Sequence, residues 1–292
     1  MKVDIGPNYT GRFRVYGGQS GTSSASAGIT CTLDMMPTVA VVNQKGGVGK
    51  TTVTLGLASA ASAARRRVLV VDLDPQGSSS WVLGVDPTTA EVTTSDVLDN
   101  APIGKAIQQS AWSEFVDVVP AGPDLQDLES GLLESKRARR LAKGLRADII
   151  DRYDAVLIDC PPSLGNLTTN ALAAARHALV VVEPSALGLR GIGGVADAID
   201  TVWDDHNPKL ELSGVILNRV PAVSSEADRR IAELTRIVGA GAVWKPTIPQ
   251  RVIFNQAVGE RRPIHSYRSK AIDPIEVFDR LWLRLRSTIN RR

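Results

Sequence analysis

The chain has 292 residues, 43% of them apolar, which suits one α/β domain of about 250 residues with an appended segment. Its 34 basic and 31 acidic side chains nearly balance, so a nucleic-acid or membrane role requires a local patch. Cys31 and Cys160 are far apart, which argues against a zinc or iron–sulfur site and for a reducing compartment. With no secretory signal and no apolar run of roughly 18 residues, the sequence predicts a cytoplasmic protein.

Residues 1–37 are predicted to be a disordered extension. This segment is rich in Gly, Ser and Thr and has few large apolar side chains, so it buries too little surface to offset its ordering entropy. Met35 and Met36 stand just before the first apolar run, which leaves an upstream translation start as one explanation. A binding tail, supported only by Lys2, Arg12 and Arg14, is the other.

From residue 38 onward, apolar runs alternate with segments typical of helices. This order predicts an α/β fold with a mostly parallel central sheet flanked by helices on both faces. The predicted strands are 39–42, 68–71, 116–119, 155–158, 178–182, 215–217 and a short run at 242–244. Helices are predicted at 53–64, 132–151, about 226–238 and the C-terminal segment. Ligands of such sheets bind beyond the carboxyl ends of the strands.

The loop at residues 45–52, KGGVGKTT, follows the first strand and precedes a predicted helix. That is the order of a phosphate-binding loop, whose glycines let backbone N–H groups turn toward a polyphosphate at a helix start. Lys50 is predicted to reach the β- and γ-phosphates, and the Thr51 hydroxyl is predicted to bind Mg²⁺. The predicted nucleotide-binding residues of the loop are Gly46, Gly47, Val48, Gly49, Lys50, Thr51 and Thr52.

The loop departs from the general pattern G-x-x-x-x-G-K-[ST], because Gln44 replaces the first glycine and Lys45 opens the loop. KGGVGKTT resembles the deviant Walker motif of the ParA/MinD ATPases, a group of phosphate-loop NTPases. The resemblance implies that Lys45 acts in trans, reaching the nucleotide of the partner across a dimer. It also implies that ATP holds this sandwich dimer together.

Carboxylates follow two of the predicted strands. Asp72 and Asp74 in DLDPQG are two residues apart, so they are expected to point to the same side, toward the γ-phosphate. Asp159 in DCPPS ends an apolar strand, the Walker B arrangement that holds Mg²⁺ through water. Both segments resemble the switches of ParA proteins. The resemblance implies that Asp74 orients or activates the attacking water and that Asp72 supports the Mg²⁺ and water network.

A base-binding region is predicted after the sixth strand. By resemblance, Asn218 and Arg219 occupy the place where relatives hold adenine, and an Asn amide can pair with a base edge. Pro249, in IPQRV, resembles another family landmark beside the base. This chain departs from the arginine-rich form of that landmark at Gln250 and Ile253.

Arginines in the C-terminal third form the predicted DNA surface. Residues 260–292 contain nine Lys/Arg against four Asp/Glu, an excess of 9 − 4 = +5, which is enough for non-specific duplex binding. On both predicted C-terminal helices, arginines lie away from the apolar face. The predicted DNA contacts are Arg229, Arg230, Arg251, Arg261, Arg262, Lys270, Arg280 and Arg284.

Two other basic features have alternative interpretations. The last helix carries Phe278 and Trp282 on one face, so it either packs on the domain or lies on an anionic membrane, as in MinD-like relatives. The run around residues 136–146, KRARRLAKGLR, is typical of a solvated helix face, and a contact with phosphate backbone is the alternative.

The resemblance covers residues 38–292 and indicates a ParA-like ATPase domain of the shorter, Soj-like class, without a helix–turn–helix segment before the loop. It implies an ATP- and Mg²⁺-dependent partition ATPase that binds double-stranded DNA non-specifically as a homodimer and is stimulated by a ParB-like partner. Nucleoid association is expected, without stable membrane association. The alternatives are a positioning ATPase for another cargo, a MinD-like membrane ATPase and an ATP-binding scaffold without useful turnover.

Overall fold

The computed structural model describes residues 37–131 and 137–290. Residues 1–36 of the predicted N-terminal extension and Lys136 therefore lie outside the described residues. The described strands are β1 (Thr38–Val42), β2 (Val68–Asp72), β3 (Gln108–Gln109), β4 (Val116–Val119), β5 (Ala155–Asp159), β6 (His177–Val182) and β7 (Glu211–Leu217). They form one sheet in the order β3-β4-β2-β5-β1-β6-β7. All neighbours are parallel except β3 and β4, which are antiparallel. The predicted fold class is confirmed.

Helices cover both faces of the sheet. They are α1 (Lys50–Ala63), α2 (Ser78–Val82), α3 (Thr94–Leu98), α4 (Ile103–Ala106), α5 (Leu125–Ser130), α6 (Arg140–Gly144), α7 (Ala147–Ile150), α8 (Asn166–Ala174), α9 (Ala186–Asp205), α10 (Ser225–Val238), α11 (Val252–Gly259) and α12 (Ile272–Ile289), with a 3₁₀ segment at Ile264–Ala271.

The central strands are buried on both sides, which explains their continuous apolar sequences. Successive side chains of a strand point to opposite faces, and β1 shows the consequence. Val39 and Val41 join the core beneath α1 and α12, whereas Ala40 and Val42 join the core beneath α8 and α9. Two hydrophobic layers thus fix the sheet and hold the carboxyl ends of its strands at one edge.

Two sequence expectations about secondary structure are wrong, and one strand was not predicted. The helix expected at 132–151 is broken in its described part into α6 and α7, because Leu145 has non-helical backbone angles (φ −80°, ψ 70°). The strand expected at 242–244 is a single bridge between Val243 and Val215. The strand β3 was not predicted, because it consists of two glutamines at the sheet edge and has no apolar pattern.

The apolar face of α12 packs on the domain. Phe278, Trp282 and Leu285 are buried against α1, and Gly56 makes this possible, since a Cβ there would lie 2.1 Å from Phe278 Cζ. In this structure that face is not free to lie on a membrane. Among the described residues, no helix combines the length and the apolar character required to cross a bilayer.

Candidate nucleotide-binding site

The phosphate-binding loop connects β1 to α1. Gly47 (φ 77°) and Gly49 (φ 90°) adopt left-handed backbone angles, which are costly for residues with a Cβ. A Cβ at position 49 would also lie 2.1 Å from Asn218 Nδ2. Gly49 is the N-cap of α1, so the first N–H groups of a 14-residue helix face the loop and favour an anion there.

Lys50 lies beside the carboxylates predicted to share its site. Its side chain is 6% exposed. Burial lowers the pKa of Lys50, and the negative charges of Asp159 and Asp74 oppose that shift. The register of β1 and β5 pairs Val41 with Asp159, which brings the Walker B carboxylate to the start of the loop. The structure therefore places the two Walker segments next to each other at the carboxyl ends of β1 and β5.

Asp72 and Asp159 are adjacent, fully buried register partners on β2 and β5. Asp72 Oδ2 accepts from Ser80 N (2.8 Å) and Ser80 Oγ (2.7 Å). Asp159 Oδ2 accepts from Ser79 Oγ at 2.6 Å. Burial is the main cause that raises the pKa of each carboxyl above its ordinary value, and the mutual proximity of the two charges raises that of Asp72 further.

Asp72 and Asp74, which are both predicted to point toward the γ-phosphate, differ in burial and in their hydrogen-bond partners. Asp72 is enclosed by α2 and by the Asp74 backbone N–H, which donates to its Oδ1 at 3.1 Å. Asp74 is half-buried, and its Oδ1 accepts from Gln76 N at 3.0 Å. Burial raises the pKa of Asp74, and the nearby Lys50 opposes this shift. The difference arises because β2 ends at Asp72 and the chain turns at Pro75.

Asn218 anchors the base-binding region to the phosphate loop. Its Nδ2 donates to Val48 O at 2.7 Å, whereas its buried Oδ1 has no hydrogen-bond partner among the described residues. A buried amide oxygen without a donor is costly, and the amino group of a base is a donor that fits it. Pro249 is held nearby by a bridge to Val220.

Glu183, which the sequence analysis missed, connects two predicted site residues. Its carboxylate lies 3.4 Å from Lys45 Nζ and 2.9 Å from Arg219 Nη1. Glu183 directly follows β6, so the rule that places ligands beyond carboxyl strand ends would have found it. Ser79 and Ser80 follow DLDPQG in the sequence, but only the fold shows that their hydroxyls bind Asp159 and Asp72.

The side chains of Thr51 and Asp159 suit a metal ion that takes most of its ligands from water and phosphate. No group of three or more His, Cys, Asp or Glu side chains among the described residues could hold a metal alone. The Thr51 side chain is close enough to Asp159 to lower the pKa of that carboxyl. A hydroxyl near one carboxylate is a partial ligand set that phosphate oxygens and waters complete for Mg²⁺.

The arginines predicted to bind DNA are exposed or half-buried and have intramolecular neighbours. Arg229 and Arg230 pair with Glu226 at 2.7 Å. Arg261 lies over Trp81, and Arg284 lies over Trp244. The remaining candidates are Arg251 with Asp273, Arg262 with Glu260 and Tyr267, and the exposed Lys270 and Arg280. Their role in DNA binding stays a prediction.

The sequence matches a family described as an AAA domain over residues 36–212. It is 34% identical to the chromosome partitioning protein ParA of Myxococcus xanthus, over 80% of this chain and 82% of that protein. It is also 34% identical to the sporulation initiation inhibitor protein Soj of Bacillus subtilis, over 78% of this chain and 90% of Soj.

A solved structure is also similar to this chain. Cobyrinic acid a,c-diamide synthase from Mycobacterium smegmatis, with bound ADP and magnesium, has a TM-score of 0.66 and 32% identity to this chain, over 78% of this chain and 91% of that one. The phosphate loop opened by Lys45, the paired carboxylates and these relatives lead to one conclusion: the chain belongs to the ParA/MinD-type partition ATPases.

Proposed function

We propose that this protein is a DNA-partition ATPase that switches between nucleotide states. ATP with Mg²⁺ joins two copies in a sandwich dimer, the dimer binds double-stranded DNA without sequence preference, and a ParB-like partner stimulates hydrolysis and release. The proposal rests mainly on one observation: Lys50, Asp74 and Asp159 lie close together beside a phosphate loop whose first residue is Lys45. Its place of action would be the cytoplasm, on the nucleoid.

The triphosphate is proposed to lie along the N-terminus of α1. Backbone N–H groups of residues 46–52 surround it, and Lys50 neutralises charge at the β- and γ-phosphates. Asn218 Oδ1, which is buried without a donor, accepts from the base, while Arg219 and Pro249 flank the base. These contacts orient the nucleotide before hydrolysis.

Bound Mg²⁺ would supply charge neutralisation at the phosphates. Thr51 would bind it directly and Asp159 through water. Asp72, the register partner of Asp159 on β2, would support this network through Ser80 and the Asp74 backbone. Asp74, which is half-buried and closer to solvent than Asp72, is the carboxylate proposed to orient the attacking water.

Lys45 is proposed to act on the nucleotide of the partner copy. In the single chain its ammonium group is paired with Glu183 at 3.4 Å, so dimer formation requires it to exchange one anionic partner for another. This exchange is feasible because both side chains are only partly buried, at 33% and 20% exposure, where ion pairs contribute little.

DNA binding is assigned to the arginine surface, defined as Arg229, Arg230, Arg251, Arg261, Arg262, Lys270, Arg280 and Arg284. Joining two chains doubles the number of cations facing one duplex. Because each phosphate contact releases counterions, doubling the contacts strengthens both the affinity and its dependence on salt. Nucleotide state thereby controls DNA binding.

The test is retention of a random-sequence duplex with ATP, with ADP and without nucleotide, across a salt series. We expect retention only with ATP, a decline with salt, and loss of both retention and dimer-dependent hydrolysis in Lys45→Gln. If the protein binds DNA in no nucleotide state, the partition proposal is contradicted, and positioning of another cargo becomes the alternative. ATP turnover by the wild type separates an enzyme from a scaffold that only binds ATP.

A further inference from the structure

A basic groove lies between residues 100–104, which lead into α4, and the α6–α7 segment. Its volume is about 560 Å³, and Arg140, Lys143, Arg146 and Arg152 line it. Asp148 is the one acidic side chain among its lining residues. We propose that this groove is a second contact surface for the phosphate backbone of nucleic acid, separate from the arginine surface.

The ion pairs of the groove leave positive charge available. Arg140 Nη1 pairs with Asp99 at 2.8 Å and is largely enclosed, so it mainly shapes the wall. Arg146 Nε lies 3.5 Å from Asp148 Oδ1, and both side chains are well exposed. Arg152 Nε donates to the Asp148 backbone carbonyl, which leaves its charge unneutralised by that bond. Lys143 is exposed and forms no ion pair within the described part of the chain.

The spacing of these cations favours a polymeric anion. Lys143 lies on α6, Arg146 precedes α7 and Arg152 follows it, so the charges come from three successive positions along the α6–α7 segment. The apolar lining residues Ile103 and Ile149 are themselves buried, and they offer little surface to an apolar ligand. A row of cations matches the repeated charges of a nucleic-acid backbone, for which affinity comes mainly from phosphate contacts.

The groove is connected to the nucleotide site through α8. On the groove side, Leu141 N of α6 donates to Asn170 Oδ1 of α8 at 3.4 Å. On the other side, α8 begins just after the Walker B loop, where Thr168 Oγ1 donates to Ser163 O at 2.8 Å. Glu129 reinforces this end by accepting from the Ser163 hydroxyl and from Leu167 N. A nucleotide-dependent change after Asp159 would therefore reach the helix on which the groove rests.

This inference rests on the proposed function for the identity of the partner. The test compares the full-length wild type with Lys143→Gln/Arg146→Gln in binding a random-sequence duplex with ATP across a salt series. Neither residue belongs to the nucleotide site, so ATP hydrolysis without DNA should be unchanged. We expect a loss of affinity of about tenfold and a salt slope smaller by about 2, because two phosphate contacts are lost.

The matched control is Lys209→Gln/Lys245→Gln, which removes the same charge beside β7, at the opposite sheet edge from β3. It should change DNA affinity less than about twofold.

If the wild type binds and the groove variant binds equally well, the groove inference is overturned while the partition proposal stands. If the wild type binds in no nucleotide state, both fail. A groove variant that loses only binding to poly-glutamate identifies an acidic protein segment as the occupant and also overturns the inference.

Discussion

The nucleotide site and the arginine surface are both rich in charge, but their side chains are held differently. In the nucleotide site, Asp72 and Asp159 are fully buried and fixed by the hydroxyls of α2. On the arginine surface, Arg229 and Arg261 are exposed; Arg229 pairs with Glu226 and Arg261 lies over Trp81. Buried groups with several partners depend on exact placement, whereas exposed cations act through their summed charge. Single substitutions should therefore have unequal consequences in the two regions.

The largest effect is expected at Lys50. Lys50→Ala removes the buried ammonium group beside Asp74 and Asp159, and transition-state charge contacts of this kind contribute on the order of 10³-fold or more to the rate. Steady-state release of phosphate measures the effect. Lys245→Ala, which changes an exposed lysine, should leave the rate within about twofold. If Lys50→Ala lowered the rate of phosphate release by less than about tenfold, Lys50 would not have the proposed catalytic role.

The second-largest effect is expected from a change to the backbone of the phosphate loop. Gly49→Ala adds a Cβ at φ 90° and 2.1 Å from Asn218 Nδ2, so both the loop and the base-binding amide must shift. We expect nucleotide affinity to fall by about 10- to 100-fold, equivalent to about 1.4 to 3 kcal/mol. Calorimetric titration with an ATP analogue measures it. Gly241→Ala is the matched control, because nothing lies within 4 Å of a Cβ there.

His177 lies outside the phosphate loop. Substituting it tests whether burial alone makes a residue important for stability. Burial is the main cause that lowers the pKa of His177 to about 4, with Arg176 adding to it. The unfolded chain takes up the proton near pH 6.5, so the stability that the neutral residue contributes above that pH is lost as the pH falls toward 4. Relative to His177→Gln, the wild type should lose about 2 kcal/mol between pH 7 and pH 5.

Urea unfolding of both proteins at the two pH values gives this difference directly. The buried carboxyls of Asp72 and Asp159 titrate in the opposite sense, since their pKa values are raised, but they are present in both proteins and largely cancel in the comparison. Equal pH dependence of the two proteins would show that folding does not lower the pKa of His177.

The smallest effects are expected on the arginine surface. Arg229→Gln breaks an exposed pair with Glu226 and should leave the free energy of unfolding almost unchanged. Arg284→Gln should cost about 1 kcal/mol, because this half-buried guanidinium lies over Trp244 and donates to Gly241 O. Urea unfolding at one pH distinguishes them. Equal losses would contradict the distinction between solvated and packed arginines.

Local sequence determined the strands and the chemistry that follows them. Continuous apolar runs can be buried only in a sheet covered on both faces, so β1, β2, β4, β5, β6 and the end of β7 were predictable. The phosphate loop was predictable because its glycines and Lys50 are contiguous. Asp72 and Asp159 were placed correctly at strand ends for the same reason.

Tertiary structure decided which of these groups meet and which face solvent. Ser79 binds Asp159 across 80 positions and Glu183 binds Lys45 across 138, and no local pattern encodes partners at such distances. The sheet order, which inserts β5 between β1 and β2, creates the first contact. Residues near one another in the chain can reveal their chemistry through their type and spacing, but pairings between distant segments depend on the packing of the whole sheet.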